Sequence, residues 1–164
     1  METDTEIFFY GIKDKYSYMS NFYKINFTDE NNIKYCCSEQ YFMYKKCETF
    51  DPTNDNLLKL ILAEKSATKI KKLGRQVSNY DETIWKNRRY DIMVNGLKLK
   101  FSQNEDIKQK LLLTSNKSLF EASKYDKIWG IGYYAKDAIN TDKSKFGTNL
   151  LGKALMEVRT HLST

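Results

Sequence analysis

The stretch Cys37-Ser38-Glu39-Gln40-Tyr41-Phe42-Met43-Tyr44-Lys45-Lys46-Cys47-Glu48-Thr49-Phe50 decides how the rest of the chain is read. Ser38 is a good N-cap, Pro52 marks the far end, and nothing between them breaks a helix. At about 100° per residue, Glu39, Phe42, Met43, Lys46, Cys47 and Phe50 share one face, while Tyr41, Tyr44, Lys45 and Glu48 point the other way. The apolar face therefore carries a carboxylate and an ammonium, which is costly unless the two are paired, hydrated or lining a cleft. A ligand pocket resolves the cost most simply. A Lys46 stem laid over the core with its head in water, and a Glu39 that only tunes the helix start, would satisfy the same pattern. With Ser38 as cap, Glu39 falls in the first turn, where the helix dipole keeps a carboxylate ionised. Lys46 lies two turns on, about 10 Å away by the helical rise.

The surroundings of this stretch are those of one folded domain. The chain has 164 residues, 41% hydrophobic and 14% aromatic, enough for a real core. One proline and seven glycines leave no flexible linker, and no internal repeat is visible, so no domain boundary is drawn. The N-terminus lacks the basic start and apolar run of a secretory signal, and no 18-residue apolar segment occurs. The sequence thus reads as soluble and cytoplasmic, with no membrane partner. Cys36, Cys37 and Cys47 are odd in number and two are adjacent, which excludes a disulfide framework and points to reduced thiols. The only histidine is His161, so spaced zinc ligands are missing and a structural metal is rejected. A formal net charge of +6 suits a polyanionic partner. The basic residues read as spread along the chain, however, and a run such as Lys69-Ile70-Lys71-Lys72 reads as a solvated helix face.

Before the central helix, Glu6 to Tyr10 reads as a buried strand, and Lys24 to Phe27 with Ile33 to Tyr35 as a hairpin around a polar turn. Between them Ser20-Asn21-Phe22-Tyr23 sets an amide and two rings at a loop position able to stack on a flat ligand, or to close over the core. After it, Asn56 to Lys72 reads as one helix ended by Leu73-Gly74-Arg75, with Arg75 placed to fork a phosphate or carboxylate. Glu82 to Leu99 reads as a central, buried helix, in which Trp85 is core or pocket wall. Asp106 to Thr114 is a shorter helix and Leu119 to Ala122 a strand. In Asp126-Lys127-Ile128-Trp129-Gly130 a carboxylate stands three residues before an indole, and the glycines Gly130 and Gly132 allow backbone or ligand to approach closely. Tyr134 to Phe146 is irregular, and Gly147 to Arg159 closes the chain as an amphipathic helix with Leu151, Leu155 and Val158 inward.

Ser20-Asn21-Phe22, Ser38-Glu39-Gln40-Tyr41-Phe42 with Lys46, Leu73-Gly74-Arg75, Trp85, Lys100-Phe101, Leu119-Phe120-Glu121-Ala122, Asp126 to Gly130, and Gly147-Thr148-Asn149-Leu150-Leu151-Gly152 together resemble the NADAR family in order and spacing. The resemblance spans about residues 6 to 162, nearly the whole chain. It implies a compact α+β domain, mainly helical with a small sheet, that cleaves N-glycosidic bonds. Two substrate classes go with it: ADP-ribose attached to guanine in nucleic acid, and phosphorylated riboflavin-pathway intermediates. No metal or organic cofactor is implied. By position, Glu39, Lys46 and Asp126 match the polar active-site residues, and Asn21, Trp85, Trp129 and Gly130 match the pocket. Phe22 and Arg75 join the pocket from their own chemistry.

Cleaving a ribose C1 to nitrogen bond builds oxocarbenium character, so the site needs negative charge beside C1, a path for water and a proton for the leaving base. Glu39 or Asp126 supplies the charge. Lys46, in partly apolar surroundings, serves as proton donor or as an amine that attacks the opened sugar. The expected partner is a small-molecule or nucleic-acid-linked ADP-ribose substrate met by a monomeric protein. A module that binds ADP-ribose without turnover is the competing reading.

Overall fold

In the computed structural model, which describes residues 1 to 163, the helix runs over Ser38–Phe50. It stops where Asp51, disfavoured from the helical region by the following Pro52, leaves it at φ −140° and ψ 49°. The elements in chain order are β1 (Glu6–Phe9), β2 (Phe27–Thr28), β3 (Lys34–Tyr35), α1 (Ser38–Phe50), α2 (Asp55–Ala63), α3 (Ala67–Gly74), α4 (Glu82–Ser102), α5 (Glu105–Leu112), β4 (Ser118–Glu121), α6 (Ala135–Ala138) and α7 (Leu150–Leu162). The fold is α+β, mainly helical with two small sheets. The chain divides into two compact units, Asn21–Asn104 and Met1–Ser20 joined by the residues from Glu105 on. None of the helices described is long and apolar enough to cross a membrane.

In the unit Asn21–Asn104, α1 is surrounded. Phe42 packs on Trp85 of α4 with ring centroids 5.0 Å apart, so one face meets the Trp85 helix as its spacing predicts. The opposite face is covered too: Tyr41 and Tyr44 are buried. The reason is the antiparallel pair β2–β3, whose register sets Phe27 opposite Tyr35 and lays both rings against Tyr41, at 6.0 and 5.2 Å. Lys45 on this face is taken up by Asp29 at 3.3 Å and Glu48 at 2.8 Å. Gly96 explains how α4 comes so near. A Cβ there would stand 2.5 Å from the Tyr41 ring, closer than carbon atoms tolerate.

Two helix expectations need correction. Residues 56 to 72 do not form one helix, because three carbonyls at the end of α2, those of Ile61, Leu62 and Glu64, accept hydrogen bonds from the fully buried Gln40 amide of α1 at 2.9 to 3.1 Å. The Glu64 carboxylate then turns back onto the N–H groups of Lys65 and Ser66, at 2.8 Å each, and α3 starts afresh. Carbonyls that a helix would have paired with following amides are thus satisfied from outside it. In α4, begun by the Asp81 carboxylate accepting from Ile84 N–H at 2.9 Å, the deep burial is confined largely to the second half, Met93 to Phe101, with Trp85 the exception.

The other unit is built on β1 and β4, which run parallel with Ile7 opposite Leu119 and Phe8 opposite Phe120. Phe8 stacks on Phe120 at 5.2 Å and meets Phe146 edge-on. Leu151, Leu155 and Val158 of α7 are buried as expected. Asn149, in the left-handed region at φ 54°, fastens this helix start to β4: its Nδ2 donates to Leu119 O at 2.8 Å and its Oδ1 accepts from Glu121 N at 3.0 Å. The stretch expected to be irregular, Tyr134 to Phe146, contains α6 and a turn of 3-10 helix at Lys143–Lys145.

Candidate active site

Glu39 lies in the first turn of α1 and is 6% exposed. Its backbone N–H donates to Asn21 O at 3.0 Å, which ties the 21–23 loop to the start of the helix. Ser38 does not cap. The N-cap position falls on Cys37, and no side chain closes the cap. Ser38 instead sits inside the helix at 1% exposure, and its Oγ has no hydrogen-bond partner among the described residues. The Asn21 Oδ1 is in the same condition. Two buried polar atoms without partners, on the residue beside Glu39 and on the residue bonded to Glu39, are unusual in a folded protein and point to a ligand.

Lys46 stands two turns along on the same helix. Its Nζ donates to Gly74 O at the end of α3, at 2.9 Å, and lies 4.6 Å from the centroid of the Tyr80 ring. Burial, then the neighbouring Arg75 guanidinium, hold the Lys46 ammonium below its ordinary pKa, while the carboxylates of Glu39 and Glu82 pull the other way. Lys46 and Glu39 thus feel each other's charge. The Tyr80 hydroxyl donates to Glu82 Oε2, and the other Glu82 oxygen pairs with Arg89 at 3.5 Å. Arg89 keeps a buried Nε with no partner among the described residues.

One unit therefore brings together Glu39, Lys46, Asn21, Arg75 and Trp85 from the expected set, with Phe22 next to Asn21 in the same loop. Arg75 is exposed at the C-cap of α3. Trp85 is 5% exposed between Phe42 and Phe50, the latter at 6.0 Å, and so belongs to the aromatic core beneath the helix. Asp126, Trp129 and Gly130 belong to the other unit. There Asp126 Oδ1 accepts from the N–H groups of Ile128 and Trp129, at 2.9 and 2.7 Å, which folds the loop back on itself. At Gly130 the close approach is made by backbone: a Cβ would meet the carbonyl oxygens of Asp126 and Glu121 at 2.9 Å.

Sequence reading missed the buried, partnerless Ser38 hydroxyl, along with Tyr80, Glu82 and Arg89. The Tyr80-x-Glu82 pair just ahead of Trp85 was a usable signal. The Arg89 contact, seven residues further along α4, was not. Lys100 was also missed. It is completely buried, its Nζ lies 5.7 Å from the Tyr23 ring and 5.2 Å from the Phe101 ring, and burial lowers its pKa to about 7.

A helix carrying an inward carboxylate and lysine, set in a mainly helical α+β fold, defines a site suited to acid–base or covalent chemistry on an electrophilic carbon. The NADAR domain matches this chain over residues 8 to 163, and the chain belongs to the NADAR family. It is 41% identical over 167 residues to the N-glycosidase R617 of Acanthamoeba polyphaga mimivirus, covering 97% of each chain. It is 28% identical to a riboflavin biosynthesis protein of Vibrio vulnificus, of which it covers 38%. Its structure superposes on the NMR structure of the E. coli protein YbiA with a TM-score of 0.78 and 28% identity, over 99% of this chain and 88% of the other.

Proposed function

We propose that the protein is an N-glycosidase that hydrolyses the bond between a ribose C1 and a nitrogenous base, with ADP-ribose attached to guanine in nucleic acid as its substrate. The observation that carries the reading is the placement of Glu39 and Lys46 on one helix, both drawn in from solvent and within each other's electrostatic reach. Relatives named N-glycosidase support the class of reaction.

In this reading the Glu39 carboxylate faces the anomeric carbon and stabilises the positive charge that grows there as the base departs. The partnerless Ser38 Oγ and Asn21 Oδ1 beside it accept hydrogen bonds from the ribose hydroxyls, which fixes C1 against the carboxylate. Water supplies hydroxide to C1 and a proton to the leaving nitrogen. Lys46, whose pKa burial and Arg75 lower, delivers that proton as an ammonium; as an amine it would instead condense with the aldehyde of the opened sugar, losing water, to a Schiff base that water then hydrolyses. Arg75 and Arg89 provide guanidinium groups for the diphosphate. Asp126, Trp129 and Gly130, which lie in the other unit, take no part in this reading. No step requires a metal or organic cofactor.

The similarity to riboflavin biosynthesis proteins favours a second reading, in which the same chemistry acts on a phosphorylated riboflavin-pathway intermediate. Incubating the protein with an oligonucleotide carrying ADP-ribosyl guanine and, separately, with such an intermediate separates the two by product: free ADP-ribose with the guanine left in the strand, or a free base from the intermediate. Glu39→Gln should abolish release. Tight binding of either compound without release would overturn the enzyme reading in favour of a binding module.

A further inference from the structure

Basic residues that look dispersed along the chain gather on α2 and α3. Residues 59 to 75 hold Lys59, Lys65, Lys69, Lys71, Lys72 and Arg75 against Glu64 alone, so this tenth of the chain carries nearly all of the formal +6. The two helices enclose a cleft of about 540 Å³ whose wall includes Leu60, Leu73, Lys65, Lys69 and Lys72. Leu60 is 46% exposed, which makes the floor apolar and open to solvent while the rim is cationic. The single carboxylate is already occupied by the N–H groups of Lys65 and Ser66. Lys65, Lys69 and Lys72 form no ion pair among the described residues.

One lining residue is next in sequence to the group that holds Lys46. Leu73 lines it, the next residue, Gly74, places its carbonyl on Lys46 Nζ, and Arg75 comes directly after. An apolar floor takes the face of an unstacked base, and a row of cations at the rim takes the phosphates that join such bases. A duplex keeps its base faces stacked and would leave the floor unused.

We propose that the cleft between α2 and α3 is a single-stranded nucleic-acid site, which holds the phosphodiester strand flanking the modified nucleotide as that nucleotide enters at Lys46. The proposal rests on the nucleic-acid-linked reading of the substrate, yet its test does not depend on turnover. The affinity of the full chain for a short, labelled, unmodified single-stranded oligonucleotide is measured by fluorescence anisotropy at stepped salt. The variant Lys65→Gln/Lys69→Gln/Lys72→Gln is compared with Lys136→Gln/Lys145→Gln/Lys153→Gln, which removes the same charge from exposed lysines elsewhere. Each lost phosphate contact flattens the slope of log affinity against log salt by about 0.7, so the cleft variant should lose a slope of about 2. Between 50 and 200 mM salt the wild type should then weaken about 15-fold more than the cleft variant. The control variant should keep the wild-type slope. Equal slopes for the cleft and control variants, or no measurable binding by the wild type at 50 mM salt, would overturn the site even if ADP-ribose is released from the modified oligonucleotide. Salt-dependent binding in the cleft with no release of ADP-ribose would uphold the site and count against the proposed reaction.

Discussion

Replacing Ser38 by alanine tests the site through a reversal of sign. A buried hydroxyl without a partner costs ~1 to 3 kcal/mol, and Ser38 is 1% exposed with its Oγ unpartnered among the described residues. Alanine removes that group at a helical position and is the better helix former by about 0.5 kcal/mol. The variant should therefore be more stable than the wild type by about 1 kcal/mol or more, a rise in Tm of roughly 2 to 4 °C for a chain of this size. The same substitution removes a hydrogen bond to the substrate, worth about 1 kcal/mol for a neutral pair, so kcat/KM should fall about fivefold to tenfold. Thermal unfolding followed by circular dichroism, alongside the ADP-ribose-release assay, gives both numbers from one preparation. A lower Tm would show that the hydroxyl is structural, and an unchanged kcat/KM would show that it does not meet the substrate. Either result refutes the reasoning.

Lys46→Ala should abolish turnover, and borohydride added during turnover should trap a sugar adduct on the wild type only if Lys46 is the nucleophile. Lys45→Ala should leave turnover intact and cost about 1 kcal/mol in urea unfolding, because it strips one partner from an Asp29 that still accepts from Tyr35 Oη and the N–H groups of Asn31 and Ile33. Lys100, with a folded pKa of about 7 below its unfolded value, binds fewer protons in the folded state across the window between them. Stability should accordingly climb as pH rises above 7, with a slope of up to about 1.4 kcal/mol per pH unit from this group, and Lys100→Met should flatten the climb. Gln40→Leu should cost about 3 kcal/mol by stranding the α2 carbonyls, with amide exchange fastest over residues 61 to 66.

What could be read from sequence was local. The α1 boundaries, the hairpin, the inward residues of α7 and the shared face of Glu39 and Lys46 all come from spacing and from Pro52. The rest depends on groups distant in sequence. The break between α2 and α3 is made by the Gln40 amide from another helix, and nothing within residues 56 to 72 announces it. A helical wheel shows Tyr41 and Tyr44 opposite Phe42, but not the Phe27 and Tyr35 rings that cover the outer face of α1. Lys100 stands with Phe101 in the family resemblance, but its burial shows only once α4 is packed. Ser38 made the opposite error possible: its type suits a cap so well that its burial inside the first turn could not be suspected.

The parallel pairing of β1 with β4 joins Glu6 to Ser118, so one unit draws on both ends of the described chain while the other is contiguous. As the polypeptide leaves the ribosome, Ile7, Phe8 and Phe9 have no strand to pair with until Leu119 and Phe120 emerge more than a hundred residues later. The contiguous unit, carrying Glu39 and Lys46, has its whole sequence available before that. Synthesis thus completes the unit that carries α1 first and leaves an apolar strand waiting, which makes residues 6 to 9 the segment most in need of a chaperone.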